Sequence, residues 1–183
     1  MRIAVFCGSR PGRDSAFERA AAAAGAGIAA AGWEMIYGGE ATGLMKTVAD
    51  AALAGGARVT GVVPDIGPLQ EHRHPGLTAY IPVADMPQRK QAMLQLADAF
   101  LCLPGGLGTL DEFGDVMTAD LLGLFDKPVV LFNTEGYYNR LKRLIDQMIR
   151  EGFADREIRR FLKVSGDWAA VKAFLEGYGK GRR

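Results

Sequence analysis

Short apolar runs alternate with amphipathic helical segments along almost the whole chain, and this alternation restricts the fold more than any other feature. Strands that alternate with helices form parallel βαβ units, in which helices cover both faces of one sheet. The pattern predicts an α/β fold, a Rossmann-like three-layer α/β/α sandwich with a mainly parallel sheet of about seven strands. The predicted strands are Ile3–Cys7, Glu34–Tyr37, Arg58–Val63, Ala79–Pro82, Ala99–Leu103, Val129–Phe132 and Leu162–Ser165. The predicted helices are Ser15–Ala31, Gly43–Ala54, Met86–Ala97, Leu110–Leu124, Tyr137–Glu151, Arg156–Phe161 and Asp167–Glu176.

The length and composition of the chain predict one ordinary globular domain. With 183 residues, 49% of them hydrophobic and 23% charged, the chain can bury one core and shows no linker. We expect a single domain over residues 1–176 and a flexible tail over residues 177–183. The formal net charge of +1 predicts no nucleic-acid partner and no membrane partner.

The termini and the cysteines bear on the cellular compartment. The first apolar run is too short for a signal peptide, and no stretch approaches the length of a membrane span. Cys7 and Cys102 are far apart in sequence and each lies near the end of a predicted strand, which favours buried thiols over a disulfide. We expect a cytoplasmic protein, and no base is visible that would activate either thiol as a nucleophile.

Three strand-to-helix turns are rich in glycine, and all three fall at the carboxyl edge of the predicted sheet, where open α/β folds bind ligands. They are residues 7–12, residues 37–43 and the segment Pro104-Gly105-Gly106-Leu107-Gly108-Thr109. Glycines allow close approach to a ligand, and the free N–H groups at a helix start favour an anion. The third turn therefore predicts a phosphate site, although neither common nucleotide fingerprint is present.

Glu112 follows this turn and admits two interpretations. Thr109 and Glu112 fit the S/T-x-x-E capping box, in which the glutamate bonds back to the N-cap amide. The phosphate-type turn beside Glu112 favours a second, functional role for its carboxylate.

Arg89 and Lys90 fall in the first turn of the predicted helix Met86–Ala97. Basic residues there oppose the helix dipole, which favours a functional role, and the alternative is a solvated surface pair. His72 and His74 lack the third ligand and the spacing of a zinc site, so we expect a solvent-facing loop and no metal.

The chain resembles the LOG family of cytokinin riboside 5′-monophosphate phosphoribohydrolases, often labelled "lysine decarboxylase". The hallmark P-G-G-x-G-T-x-x-E is matched in full by residues 104–112. Further similar blocks run in the same order over residues 3 to about 155, nearly the whole domain. They are Val5–Ser9, Tyr37–Gly39, Gly43–Met45, Gly61–Pro64, Asp85–Met86, Gln88–Lys90, Asp126–Pro128 and Gly136–Asn139.

The resemblance implies hydrolysis of the N-glycosidic bond of an adenine-type nucleoside 5′-monophosphate, either AMP or a cytokinin riboside monophosphate, to free base and ribose 5-phosphate. It implies a catalytic pair of Arg89 and Glu112, a homodimer and no cofactor. The implied substrate-binding residues are Gly8, Ser9, Gly38, Gly39, Glu71, Lys90, Gly105, Gly106, Leu107, Gly108, Thr109, Asp115 and Thr118.

The alternative is a non-catalytic nucleotide or molybdenum-cofactor carrier. Such carriers resemble the family in fold and in the phosphate turn but lack the arginine and glutamate pair. A pyridoxal-dependent decarboxylase needs a larger scaffold and is discounted. The chain also departs from the family pattern at Glu40 and Lys46, where glycines are usual, and at Ala119 in a segment that often reads Thr-Trp-Ala-Gln.

Overall fold

The computed structural model describes residues 1–67 and 71–178, and within them seven strands form one parallel sheet. The strands are β1 (Arg2–Phe6), β2 (Glu34–Tyr37), β3 (Val59–Pro64), β4 (Ala79–Val83), β5 (Ala99–Cys102), β6 (Val129–Phe132) and β7 (Leu162–Ser165). Their spatial order is β4-β3-β2-β1-β5-β6-β7, and every neighbouring pair is parallel. The predicted α/β class and strand number are confirmed.

Helices cover both faces of this sheet. They are α1 (Ser15–Ala30), α2 (Gly43–Ala54), α3 (Met86–Leu96), α4 (Leu107–Leu121), α5 (Asn139–Arg150), α6 (Ile158–Phe161) and α7 (Trp168–Gly177). Alternate residues of β1 point to opposite faces, as the period of a strand requires. Ile3 and Val5 pack with α1, α2 and α7, whereas Ala4 and Phe6 pack with α3 to α6. The protein is therefore a three-layer sandwich with two hydrophobic cores. None of the described helices combines the length and the apolar character that crossing a membrane requires.

The strand order reverses direction between β1 and β5. From β1 the chain extends the sheet outward through β2, β3 and β4, and then returns to place β5 on the other side of β1. The chain beyond β1 therefore continues to one face of the sheet, as α1, and the chain beyond β5 continues to the other face, as α4, with a crevice between them. In open α/β sheets this switch point is the usual ligand site.

Most predicted bounds agree with the structure to within two residues, and α4 is the exception. This helix begins at Leu107 rather than at Leu110, because Gly106, with extended backbone, is the N-cap. Of the three glycines in this turn, Gly108 thus lies inside the helix, whereas Gly105 and Gly106 precede it. At the C-terminus, the predicted tail overlaps α7 at Gly177, the Tyr178 hydroxyl lies 2.5 Å from the Asp126 carboxylate, and residues 179–183 lie outside the described residues.

The alanine-rich helix α1 packs closely against α2 at Gly25. A Cβ atom at this position would lie 2.3 Å from the carbonyl oxygen of Val48 and 3.0 Å from Cβ of Ala51. Gly114, in α4, has open space where its Cβ would be. The two helical glycines thus differ in the space around them, although both suffer the same intrinsic helix penalty.

We expect Gly25→Ala to lower the free energy of unfolding by about 1–3 kcal/mol, since the methyl group would meet main-chain atoms. Gly114→Ala should raise it by up to about 1 kcal/mol through helix propensity alone. Urea titrations of both variants measure the two effects. A Gly25→Ala variant as stable as the unmodified protein would contradict the close approach of α1 and α2.

Candidate active site

A cavity of about 550 Å3 opens at the switch point between β1 and β5. The loops after β1 and β5 form two of its walls, through residues 7–12 and residues 104–109. Further lining residues come from more distant elements: Phe17, Glu40, Leu44, Met45, Met86, Arg89, Asp111, Glu112 and Tyr137. The cavity therefore lies where the fold predicts a ligand, and it contains both members of the predicted catalytic pair.

The start of α4 forms an open anion site on one wall. Gly106, Leu107 and Gly108 are exposed to solvent, and no side chain in the described structure caps this helix. The first amides of a helix have no partner within the helix, and together with the helix dipole they attract negative charge. Nothing in the described protein occupies these amides, so a ligand phosphate can accept their hydrogen bonds.

Three consecutive carbonyl groups in front of this helix are held by donors from elsewhere in the chain. The Tyr138 hydroxyl donates to Leu103 O at 2.7 Å, and the amide of Gly8 donates to Pro104 O at 3.1 Å. The Tyr137 hydroxyl donates to Gly105 O at 2.5 Å. Burial raises the pKa of Tyr138, so its hydroxyl stays protonated and remains a donor. The turn is therefore fixed on its carbonyl side.

Arg89 and Glu112 form a buried ion pair across the cavity. Nη2 of Arg89 lies 3.5 Å from Oε1 of Glu112, and the two side chains are 9% and 12% exposed. Gly38 makes this position possible, because a Cβ atom there would lie 2.0 Å from Nη2 of Arg89. The alternative of a solvated surface pair is therefore wrong for Arg89. Its Nε is buried without a hydrogen-bond partner in the described structure, which leaves a donor for a ligand.

The carboxyl group of Glu112 is poised to change its protonation near neutral pH. Burial raises its pKa from 4.5 to about 7, although the neighbouring Arg89 lowers it. The capping-box interpretation is wrong, because α4 begins at Leu107 and Thr109 already lies inside its first turn. Thr109 instead packs its hydroxyl over Gly105, where a Cβ atom would lie 2.1 Å from Oγ1. The Glu112 carboxylate therefore has no capping role at this helix start.

Lys90 lies beside the cavity, and its ammonium group pairs with two carboxylates of α4. Its Nζ lies 3.0 Å from Asp111 and 2.7 Å from Asp115, and hydrogen bonds to Asp115 and Asp111 raise its pKa. Of the predicted binding residues, Gly8, Ser9, Gly105, Gly106, Leu107, Gly108 and Thr109 line the cavity. Gly38, Gly39, Glu71, Lys90, Asp115 and Thr118 are not among the described lining residues, and Glu71 and Thr118 are exposed.

His74 is buried, so the prediction of a solvent-facing loop is wrong for this residue, whereas His72 is exposed. Nε2 of His74 lies 2.9 Å from the Asp50 carboxylate, and the amide of Gly76 donates to Nδ1 at 3.1 Å. The backbone of His74 also donates to Gly39 O at 2.8 Å. The histidine ties its loop to α2 and to the second glycine-rich turn. No cluster of metal-ligating side chains occurs in the described ranges.

Sequence reasoning missed several lining residues, above all Arg10, Glu40 and Tyr137. Arg10 follows Ser9 in the first glycine-rich turn, and Tyr137 belongs to one of the similar blocks, so position in a motif was the available signal. Cys7 is at the cavity wall, but burial raises the pKa of its thiol, which agrees with the expectation that it is no nucleophile. Cys7 and Cys102 are both buried free thiols.

Comparison with known proteins gives consistent matches. The family model described as "Possible lysine decarboxylase" matches residues 45–174. A cytokinin riboside 5′-monophosphate phosphoribohydrolase of Rhodococcoides fascians is 45% identical over 152 residues, which is 82% of this chain and 77% of that protein. A protein of the same name from Arabidopsis thaliana is 42% identical over 161 residues, covering 88% of this chain and 75% of its own.

Solved structures with the same fold include molybdenum cofactor proteins. The carrier protein of Chlamydomonas reinhardtii superposes with a TM-score of 0.73 at 21% identity, over 96% of this chain and 98% of its own. The molybdenum cofactor binding protein of Rippkaea orientalis gives a TM-score of 0.70 at 19% identity, over 96% and 94%. At such identities the likeness concerns the fold alone, whereas the sequence matches identify the family. The chain belongs to the LOG family, whose members are often labelled "lysine decarboxylase".

Proposed function

We propose that this protein is a phosphoribohydrolase that cleaves the N-glycosidic bond of an adenine-type nucleoside 5′-monophosphate. The products are the free base and ribose 5-phosphate. The observation that carries the proposal is the buried pair of Arg89 and Glu112 beside the uncapped start of α4. A carrier needs only the phosphate site, whereas glycoside cleavage needs a carboxylate near the sugar.

The geometry suggests a division of labour between the two ends of the nucleotide. The amides at the start of α4 hold the 5′-phosphate, and this remote binding fixes the ribose in the cavity. Glycoside cleavage passes through an oxocarbenium-like transition state, which the carboxylate form of Glu112 stabilises while it orients the ribose hydroxyls or the attacking water. Water adds to the anomeric carbon, the carbon–nitrogen bond breaks, and the base leaves with a proton. Arg89 orients Glu112 and the sugar.

The decisive experiment incubates the pure protein with AMP and, separately, with isopentenyladenosine 5′-monophosphate, and measures free base by chromatography. We expect release from at least one of them. Binding of a nucleotide without release from any purine monophosphate would refute the enzyme and favour the carrier alternative.

Replacing either member of the pair should disable the reaction without removing the phosphate site. We expect Glu112→Gln and Arg89→Ala each to reduce turnover by about 100-fold or more, since each removes a group that acts on the sugar. Glu18→Gln, on the exposed start of α1, is a matched control that should keep full turnover. Near-normal turnover in either active-site variant would remove that residue from the mechanism.

The raised pKa of Glu112 also predicts how stability depends on pH. The folded protein binds this proton up to about pH 7, whereas the unfolded chain releases it near pH 4.5. The contribution of this group to the free energy of unfolding is therefore fully present below pH 4.5, and it is lost as the pH rises through 7. Glu112→Gln cannot ionise, so its stability relative to the unmodified protein should increase by about 1–3 kcal/mol between pH 5 and pH 8. Thermal unfolding at both pH values measures the difference, and an unchanged difference would mean an ordinary pKa.

We further propose a homodimer and a cytoplasmic location. Large apolar side chains are exposed on and just beyond α4, namely Leu107, Leu110, Leu121, Leu122 and Leu124. Such a concentration is typical of a protein–protein interface, and light scattering would give the mass in solution.

The two buried free thiols suit a reducing compartment.

A further inference from the structure

The cavity lining contains more carboxylates than cationic side chains, and this balance is unfavourable for binding a phosphate. Glu40, Asp111 and Glu112 line it, and the only cationic side chains among the described lining residues are Arg10 and Arg89. A dianionic phosphate placed near these carboxylates needs a compensating cation. The helix amides contribute partial charge only.

Two of the basic residues near the cavity already have partners. Arg89 is paired with Glu112, and Lys90 is paired with Asp111 and Asp115. Arg10 differs from both, because it is exposed to solvent and no carboxylate in the described ranges lies within ion-pair distance. Its guanidinium is therefore available to a ligand.

The turn that carries Arg10 is docked against the phosphate turn. The amide of Gly8 donates to Pro104 O at 3.1 Å, and a Cβ atom on Gly8 would lie 3.4 Å from Cα of Gly105. On its other side, the amide of Leu44 donates to Gly8 O at 3.1 Å. These contacts hold the β1 turn next to the start of α4, so that Arg10 follows two residues after the point of contact.

We propose that Arg10 binds the 5′-phosphate of the substrate together with the α4 amides. Arginine suits this role because its planar guanidinium donates two parallel hydrogen bonds to phosphate oxygens. This inference rests on the proposed function for the identity of the substrate. It assigns the cationic half of the phosphate site to the β1 turn, and it makes Arg10 a determinant of selectivity for nucleotides over nucleosides.

The test compares Arg10→Ala with Arg10→Lys and with Arg13→Ala, an exposed arginine of the same loop that is absent from the described cavity lining. For AMP, Arg10→Ala should raise KM by about 10-fold or more and change kcat much less, because a charge-assisted hydrogen bond to the phosphate is lost. Arg10→Lys should restore part of the affinity. Arg13→Ala should leave both constants unchanged.

Calorimetric binding of ribose 5-phosphate provides a readout that does not depend on catalysis. Its affinity for Arg10→Ala should fall by a factor similar to the rise in KM, and the loss should shrink at high salt. Binding of adenosine, which has no phosphate, should be the same in all variants. Equal affinity of Arg10→Ala and the unmodified protein for ribose 5-phosphate would overturn the proposal, as would failure of the unmodified protein to bind it at millimolar concentration. If the unmodified protein binds ribose 5-phosphate but hydrolyses no nucleotide, the proposed function fails and the binding data still decide the role of Arg10.

Discussion

The burial of one ion pair, Arg89 with Glu112, determines much of what surrounds it. Removing two charges from water costs several kcal/mol for each ion, and the mutual attraction offsets this only with good geometry. At 3.5 Å the contact between them is loose, and Nε of Arg89 has no partner in the described structure. The site therefore keeps unused hydrogen-bonding capacity, as expected where a polar ligand completes the arrangement. Gly38 belongs to the same constraint, because any side chain there would displace the guanidinium.

The two halves of the cavity have different electrostatic tasks. The half at the start of α4 offers main-chain amides, whose attraction for an anion does not depend on pH. The half at Arg89 and Glu112 contains a carboxyl group whose pKa, raised by burial to about 7, makes its charge sensitive to small changes in the surroundings. A phosphate bound nearby would raise that pKa further. Binding of an anion in this cavity would thus be linked to the protonation of Glu112.

The sequence contained the fold class, the strand number and the glycine-rich turn after β5, because periodicity and glycine placement are local signals. It could not predict what a partner distant in sequence or the backbone conformation of a glycine decides. His74 can be buried because the carboxylate of Asp50, 24 residues earlier, accepts a hydrogen bond from its ring nitrogen Nε2. Arg89 is buried because Gly38 leaves room for it, and no pattern within α3 reveals that space. Thr109 looked like an N-cap only because the extended backbone of Gly106 could not be read from residue types.

The hydrogen bonds on Leu103, Pro104 and Gly105 have a consequence for the polarity of the phosphate turn. A peptide group is a dipole, and rotation of the plane between two residues exchanges which end faces the crevice. With three successive oxygens held from behind, such a rotation would break a bond to Tyr137, Tyr138 or Gly8. The electropositive face of the turn is therefore maintained by residues more than thirty positions later in the chain and by the neighbouring strand. Two tyrosine hydroxyls thus help to keep the crevice attractive to anions.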